Sequence, residues 1–254
     1  MAEKPIFDSI AHVYDDTRKL PPDIMTGVIN TLSEVLGSDS KLLEVGVGTG
    51  RFSIPMCSSG LDVVGIDLST NMLERCREKG FDMILKANAC QMPFRDKHFD
   101  NAFMTHVLHL VENWECLLRE VCRVTEHNLA SVVSLWPRDD WPGDYYGRRV
   151  DELGYGPSQP GVSERELAEK IPPNRRIHIG TYTMKRSNDS YIDILEKRHY
   201  SSATKLPDDL HAKVVAEVRE RYGGKTRAIE NRVEICLWEI DSLTKFLHSN
   251  TPLS

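Results

Sequence analysis

The sequence has no apolar run near the about 18 residues that a membrane-crossing helix needs, and its first residues, Met-Ala-Glu-Lys-Pro, lack the apolar stretch of a secretory leader. No membrane partner is expected, and the cytoplasm is the expected compartment. Nor is there a long block of one charge sign: 38 acidic side chains stand against 32 basic ones, a net charge of −6. Nucleic-acid binding needs basic side chains gathered on one face. The densest basic stretch, Arg175, Arg176, His178, Lys185 and Arg186, is diluted by threonine and isoleucine and reads as a solvated strand edge. No nucleic-acid partner is expected. The six cysteines (Cys57, Cys76, Cys90, Cys116, Cys122, Cys236) include no C-x-x-C pair and mostly fall in apolar-periodic segments. Reduced, buried, inert thiols are expected, with no metal and no disulfide framework. Internal repeats and low-complexity tracts are missing as well.

What is present is an ordinary globular composition, 40% hydrophobic and 28% charged over 254 residues, enough for a real core and, by default, one domain. Residues 41–136 read as strands alternating with helices, the pattern of a parallel sheet covered on both faces. Lys41–Val45, Leu61–Ile66, Asp82–Lys86, Phe99–Thr105 and Leu129–Leu135 are the expected strands. Ser69 or Thr70 is placed to cap a helix that stops at Gly80, and Trp114, Leu117, Leu118 and Val121 mark another at helical spacing. Beyond Trp136, prolines and glycines punctuate a stretch rich in Trp and Tyr over 137–162, which reads as an insertion loop. Ser163 and Glu166 have capping-box spacing for a helix over 163–170. A helix with Leu210, Val214 and Val218 between two further strand-like segments closes the chain.

The sharpest signal is Glu44-Val-Gly46-Val-Gly48-Thr-Gly50-Arg51, a glycine-rich turn between the first strand and the first helix after it. Glycines let a bound cofactor approach the backbone more closely than a Cβ would permit. Asp67 ends the second strand 21 residues after Gly46, where a carboxylate can accept both hydroxyls of a ribose. The alternative is a turn that only reverses the chain and an aspartate that only caps the next helix.

The chain resembles the class I S-adenosylmethionine-dependent methyltransferases, in the branch acting mainly on small molecules. The likeness runs through L-L-E-V-G-V-G-T-G-R-F (42–52), V-V-G-I-D-L-S-T-N-M-L (63–73), A-N-A-C-Q-M-P-F (87–94), F-D-N-A-F (99–103) and L-L-R-E-V-C-R-V (117–124), with a leader pattern F-D-S-I-A-H-V-Y-D-D-T-R over 7–18. It implies an α/β, Rossmann-like, doubly wound sheet of seven mostly parallel strands with an antiparallel last strand. It also implies a single domain: a cap or lid over 1–40, a cofactor core over 41–136, a substrate-side insertion over 137–206 and a closing part over 207–254. S-adenosyl-L-methionine is the implied cofactor. Gly46, Gly48 and Gly50 would wall its methionine part, Glu44 would order the ammonium, and Asp67 would hold the ribose. Leu68 and Met72 would sandwich the adenine, with Asn88 and the backbone of Ala89 at its edge. Tyr14, with Arg18 beside it on one helical face, would close over the cofactor as a lid whose helical stripe begins at Phe7 and Ile10. Asn88 replaces the branch's usual aspartate, and Thr125-Glu126-His127-Asn128 replaces its Lys-Pro-Gly-Gly turn, with Asn128 able to take the left-handed position.

The fourth expected strand ends in Thr105-His106-Val107-Leu108-His109 at the carboxyl edge of the sheet, where open α/β folds bind ligands. No Asn/Asp-Pro-Pro-Tyr/Phe tetrad follows, which disfavours amino-methylation of DNA bases or of protein glutamine. His106 and His109 are the candidate catalytic bases, against a packing role for each. Trp136, Trp141, Tyr145 and Tyr146 would either line a substrate pocket or pack on one another. The expected activity is methyl transfer to O, N, C or S of a small-molecule metabolite by a monomer or homodimer. A non-catalytic cofactor-binding member of the fold and a nicotinamide-dependent oxidoreductase remain as alternatives; the spacing G-x-G-x-G counts against the latter.

Overall fold

A computed structural model describes residues 11, 14–137, 140–157, 159–200 and 203–249. Phe7 and Ile10 of the leader pattern lie outside the described residues. In chain order the elements are α1 (Tyr14–Thr17), α2 (Pro22–Leu36), β1 (Lys41–Val45), α3 (Ser53–Ser58), β2 (Asp62–Asp67), α4 (Thr70–Glu78), β3 (Ile84–Lys86), β4 (Phe99–Met104), α5 (Trp114–Val124), β5 (Thr125–Leu135), α6 (Pro142–Glu152), α7 (Glu164–Lys170), β6 (Arg175–Ser187), α8 (Asn188–Glu196), α9 (Asp208–Tyr222), β7 (Thr226–Glu239) and α10 (Ile240–Ser249). None of the described helices is long and apolar enough to cross a membrane.

The seven strands form one sheet in the order β3-β2-β1-β4-β5-β7-β6. β1 pairs in parallel with β2 on one side and β4 on the other, β3 and β5 extend the parallel part, and β7 runs antiparallel to β5. This is the expected doubly wound sheet. Neighbouring strand residues point to opposite faces, so near-continuous burial along β1 and β4 means that both faces are covered. The order reverses between β1 and β4, the switch point at which ligands bind in such sheets.

The chain divides into two compact units, one of residues 1–134, 161–180 and 233–254, the other of 135–160 and 181–232. The second is α-helical in its core: α6, α8 and α9 bury Tyr146, Val150, Ile192, Leu195, Val214, Val218 and Tyr222. The expected insertion loop over 137–162 is therefore corrected, because Pro142 starts α6 and Tyr146 and Val150 give it a buried stripe four residues apart. Tyr146 is a core side chain whose hydroxyl bonds His211 Nδ1 at 2.7 Å, while Trp141 packs edge-on against Tyr191 and Tyr145 against Tyr222.

Two more expectations need correction. α5 runs straight into β5 at Thr125, so residues 125–128 form no turn; Asn128 stays extended and donates its amide to Asn101 Oδ1 at 3.0 Å. Of the six cysteines, all free, only Cys76 and Cys236 are buried and the other four are half-buried. Local signals elsewhere hold: Ser69 caps α4 by accepting the Met72 N–H, and Ser163 and Glu166 close the capping box of α7. Phe103 on β4 is fully buried and meets Phe52 edge-on at 5.1 Å. Phe103→Ala is expected to cost about 3–5 kcal/mol in a denaturant titration, whereas Leu85→Ala on the exposed edge strand β3 should stay within about 0.5 kcal/mol.

Candidate functional site

β1 delivers the chain at the switch point into the glycine turn. A Cβ on Gly46 would lie 2.2 Å from Val107 Cγ2, and one on Gly50 would lie 2.7 Å from Cys76 Sγ, so packing inside the protein demands glycine at both. Gly48 differs. Its φ is +54° and a Cβ there would meet nothing within 4 Å, so it borders the open space that a ligand can enter. Gly65 on β2 was not singled out by spacing; a Cβ there would come within 2.7 Å of Val47 and displace the turn.

Asp67 ends β2 beside this turn. Its Oδ2 accepts the Gly48 N–H and its Oδ1 accepts the Ser69 N–H, both at 2.8 Å. Both donors are main-chain groups, so the backbone fixes the orientation of this carboxylate. Glu44, on β1, is buried and accepts the Ser53 hydroxyl at the start of α3. Burial raises its carboxyl to about 8 despite that bond and the Arg51 charge.

The leader is tied to the same turn. Asp15 accepts the Thr49 hydroxyl at 2.6 Å and pairs with Lys79, whose ammonium also donates to the Thr49 carbonyl at 3.0 Å. Arg51 lies over the Phe52 ring at 4.5 Å and donates to the Arg18 carbonyl, and burial lowers its pKa. Arg18 in turn lies over the Tyr14 ring at 5.7 Å. Burial raises the Tyr14 phenol, which also feels Arg51, Arg18 and Asp67. Sequence reasoning missed Asp15, Thr49, Arg51 and Lys79; partners 64 residues apart, like Asp15 and Lys79, leave no spacing signal. A cavity of about 360 Å³ opens between the leader and the turn, bordered by Asp15, Lys19, Met25, Arg51, Ile54 and Lys79.

His106 follows β4 in the left-handed region, at φ +60°, and its ring centroid lies 6.5 Å from that of His109. Burial, then Arg51, His109 and Arg18, hold His106 down at about 3; burial, then Arg18, hold His109 at about 4. Both imidazoles are neutral at pH 7. Glu164, also missed, fixes this loop: its buried carboxylate accepts the Val107 N–H at 3.0 Å and those of His106 and Leu108. Gly161 lies against the same loop, where a Cβ would come within 2.0 Å of the Leu108 carbonyl.

The remaining expected residues are spread more widely. Leu68 is 52% exposed and Met72 only 2%, so Leu68 has the free apolar face. Asn88 is exposed, with Oδ1 accepting the Cys90 N–H at 2.9 Å, and Ala89 follows half-buried. Thr105 is buried and gives its hydroxyl to the Val132 carbonyl at 3.2 Å. Asp100, Glu126 and His127 bring donor atoms within 4.8 Å of one another at the opposite edge of the sheet, but Asp100 already accepts the Lys41 N–H at 2.7 Å and Glu126 faces Lys97 at 4.0 Å.

Comparison with known proteins decides which family this geometry belongs to. Residues 43–128 match the family model described as a methyltransferase domain. The chain carries a class I S-adenosylmethionine-dependent methyltransferase domain. An uncharacterized protein of Methanocaldococcus jannaschii is 26% identical to this chain over 166 residues, 65% of this chain and 78% of that one. The demethylmenaquinone methyltransferase of Renibacterium salmoninarum is 32% identical over 135 residues, 51% of this chain and 56% of that one, so the chain spans only about half of this relative's length. The YcgJ protein of Bacillus subtilis has a similar fold, with a TM-score of 0.56 at 18% identity over 85% of this chain and 97% of that one.

The buried acid and the two histidines make opposite marks on stability. Glu44, raised from 4.5 to about 8, keeps its proton when folded, so its contribution is full below about 4.5 and lost as pH rises to about 8. His106 and His109, depressed from 6.5, contribute above 6.5, and that part is lost as pH falls through about 4 and about 3. Between pH 6.5 and 8, of these three groups only Glu44 still acts. The cofactor-free protein should lose thermal stability across that window, and Glu44→Gln should remove a slope of about 1.4 kcal/mol per pH unit.

Proposed function

We propose that this chain moves a methyl group from S-adenosylmethionine to an O, N, C or S atom of a small-molecule metabolite by in-line displacement. The observation that carries the reading is the Asp67 carboxylate, oriented by the Gly48 and Ser69 N–H groups beside an open glycine position. These residues fit the cofactor: Asp67 receives the ribose hydroxyls, Gly48 lets the methionine part approach, and Leu68, with Met72 beneath, faces the adenine. Asn88 Oδ1 and the Ala89 backbone meet the adenine edge, and Thr105 supports the loop after β4. Gly46 and Gly50 keep the turn closed behind them. Glu44 meets the ammonium; a cation arriving beside it favours the carboxylate, so binding should release a proton near neutral pH. When bound, the cofactor supplies a methyl on a sulfonium that is already a good leaving group, so positioning can supply most of the acceleration.

His106 is the first candidate to take a proton from an attacking oxygen or nitrogen. It is neutral at pH 7, with a lone pair available, but its low basicity suits a proton that leaves late in the reaction. His109 stands behind it as a second, weaker candidate. Tyr14 and Arg18 close the leader over the methionine end. Relatives named as demethylmenaquinone methyltransferases and a malonyl-[acyl-carrier protein] O-methyltransferase support a small-molecule or carrier-borne acceptor. The reading is completed by a cytoplasmic monomer or homodimer with no nucleic-acid or membrane partner.

Asp67→Ala should weaken S-adenosylmethionine binding at least about tenfold by calorimetry, since charge-assisted bonds to two hydroxyls are lost. Gly48→Val should abolish it, because a branched side chain is strained at positive φ and fills the open space. Unchanged affinity in both would reject the site. For the leader, amide exchange over residues 14–20 should slow when S-adenosylhomocysteine is added. Identical exchange with and without it would remove Tyr14 and Arg18 from the site.

A further inference from the structure

Cys90 and Cys116 lie 26 residues apart in the chain and touch in the fold. Cys90 belongs to the short turn after β3 in which Asn88 bridges to Gln91, and Cys116 sits in the first turn of α5. The Cys116 thiol donates to the Cys90 carbonyl at 3.6 Å and the Cys90 thiol donates to the Asn113 carbonyl at 3.8 Å. Both are half-buried, so a small reagent can reach them. The turn is stiff: Asn88 Oδ1 accepts the Cys90 N–H and the Asn88 carbonyl accepts the Gln91 N–H, both at 2.9 Å.

We propose that Cys90 and Cys116 form a reversible disulfide that weakens cofactor binding at the adenine end. The second half of the proposal rests on the reading that Asn88 and Ala89 meet the adenine edge. The oxidant is a low-molecular-weight disulfide such as oxidised glutathione. The Cys116 sulfur attacks the small disulfide first and forms a mixed disulfide, releasing one small thiol. Cys90 then displaces the second small thiol and the Cys90–Cys116 bond closes. The two cysteine protons end on the two released thiols, and the small disulfide is reduced by the two electrons that the cysteines give up.

An S–S bond is about 2.05 Å long, so the two sulfurs must leave their carbonyl partners and move together to form it. Cys90 carries its N–H with it, and that N–H holds Asn88 Oδ1. The adenine-edge acceptor is therefore drawn towards α5 when the bond closes. Cys76 and Cys236 are poorer choices because they are buried away from a reagent.

The test treats the full reduced chain with oxidised glutathione, blocks free thiols and maps the peptides by mass spectrometry, with S-adenosylhomocysteine calorimetry on the same samples. We expect a cross-linked Cys90–Cys116 peptide and affinity at least about fivefold weaker, restored by dithiothreitol. Cys116→Ser should keep the reduced affinity and lose the response; Cys90→Ser serves if that variant does not fold. Absence of the cross-linked peptide, or stable mixed disulfides at both positions, overturns the pair. A cross-link with affinity changed by less than about twofold overturns the coupling to the cofactor. If the reduced chain does not bind S-adenosylhomocysteine, the proposed function fails instead, and the peptide map still decides the disulfide.

Discussion

The hydrogen bond from the Gly48 N–H to Asp67 Oδ2 is the constraint on which the site depends. It joins the end of β2 to the turn after β1, where the Gly46 and Val47 N–H groups also donate to the Ile66 carbonyl at 2.8 and 2.9 Å. The other oxygen of the same carboxylate holds the N–H that opens α4. One side chain thus sets the height of the glycine turn and the start of the next helix. Because both donors are main-chain groups with little freedom to rearrange, the carboxylate is aimed before any ligand arrives, and less orientational entropy has to be lost on binding.

Around that contact the charges are arranged unevenly. Glu44 is buried with its proton, and half-buried Arg51 carries its charge at the far end of the turn that follows β1. The leader lies over this arrangement through a few polar contacts, of Asp15 with Thr49 and Lys79 and of Arg51 with a carbonyl. Such contacts are individually weak where water reaches them.

What could be read from the sequence followed from local rules. Strand and helix alternation, the Ser69 and Ser163 caps and the glycine turn all depend on residues within a few positions of one another, and each appears where it was expected. The extent of α6 was missed because proline and glycine density was weighed above the Tyr146–Val150 spacing. The Thr125–Asn128 turn was expected by likeness to other chains, whereas α5 passes directly into β5. Within the site, Asp67 and the glycines were legible because their spacing is fixed by one strand–turn–strand unit. Glu164, Arg51 and Lys79 were not, since each meets its partner only after the chain has returned from elsewhere. The glycines also proved to have different reasons: Gly46 and Gly50 are required by Val107 and Cys76, and Gly48 by backbone conformation and open space.

The strand order β5-β7-β6 has a consequence for the newly made chain. β7 sits between β5 and β6 yet is synthesised last, so β6 has no place in the sheet until β7 arrives. From the end of β5 at Leu135 to the part of β7 that begins at Val233 in the first unit, about 100 residues must emerge. At about 5–20 residues per second that is roughly 5–20 s. Throughout this interval the edge of β5 offers unpaired main-chain groups to any other extended segment nearby. The burial pattern of β5 makes that edge apolar as well as unpaired, so during biosynthesis this strand is the part of the molecule most in need of shielding from its neighbours.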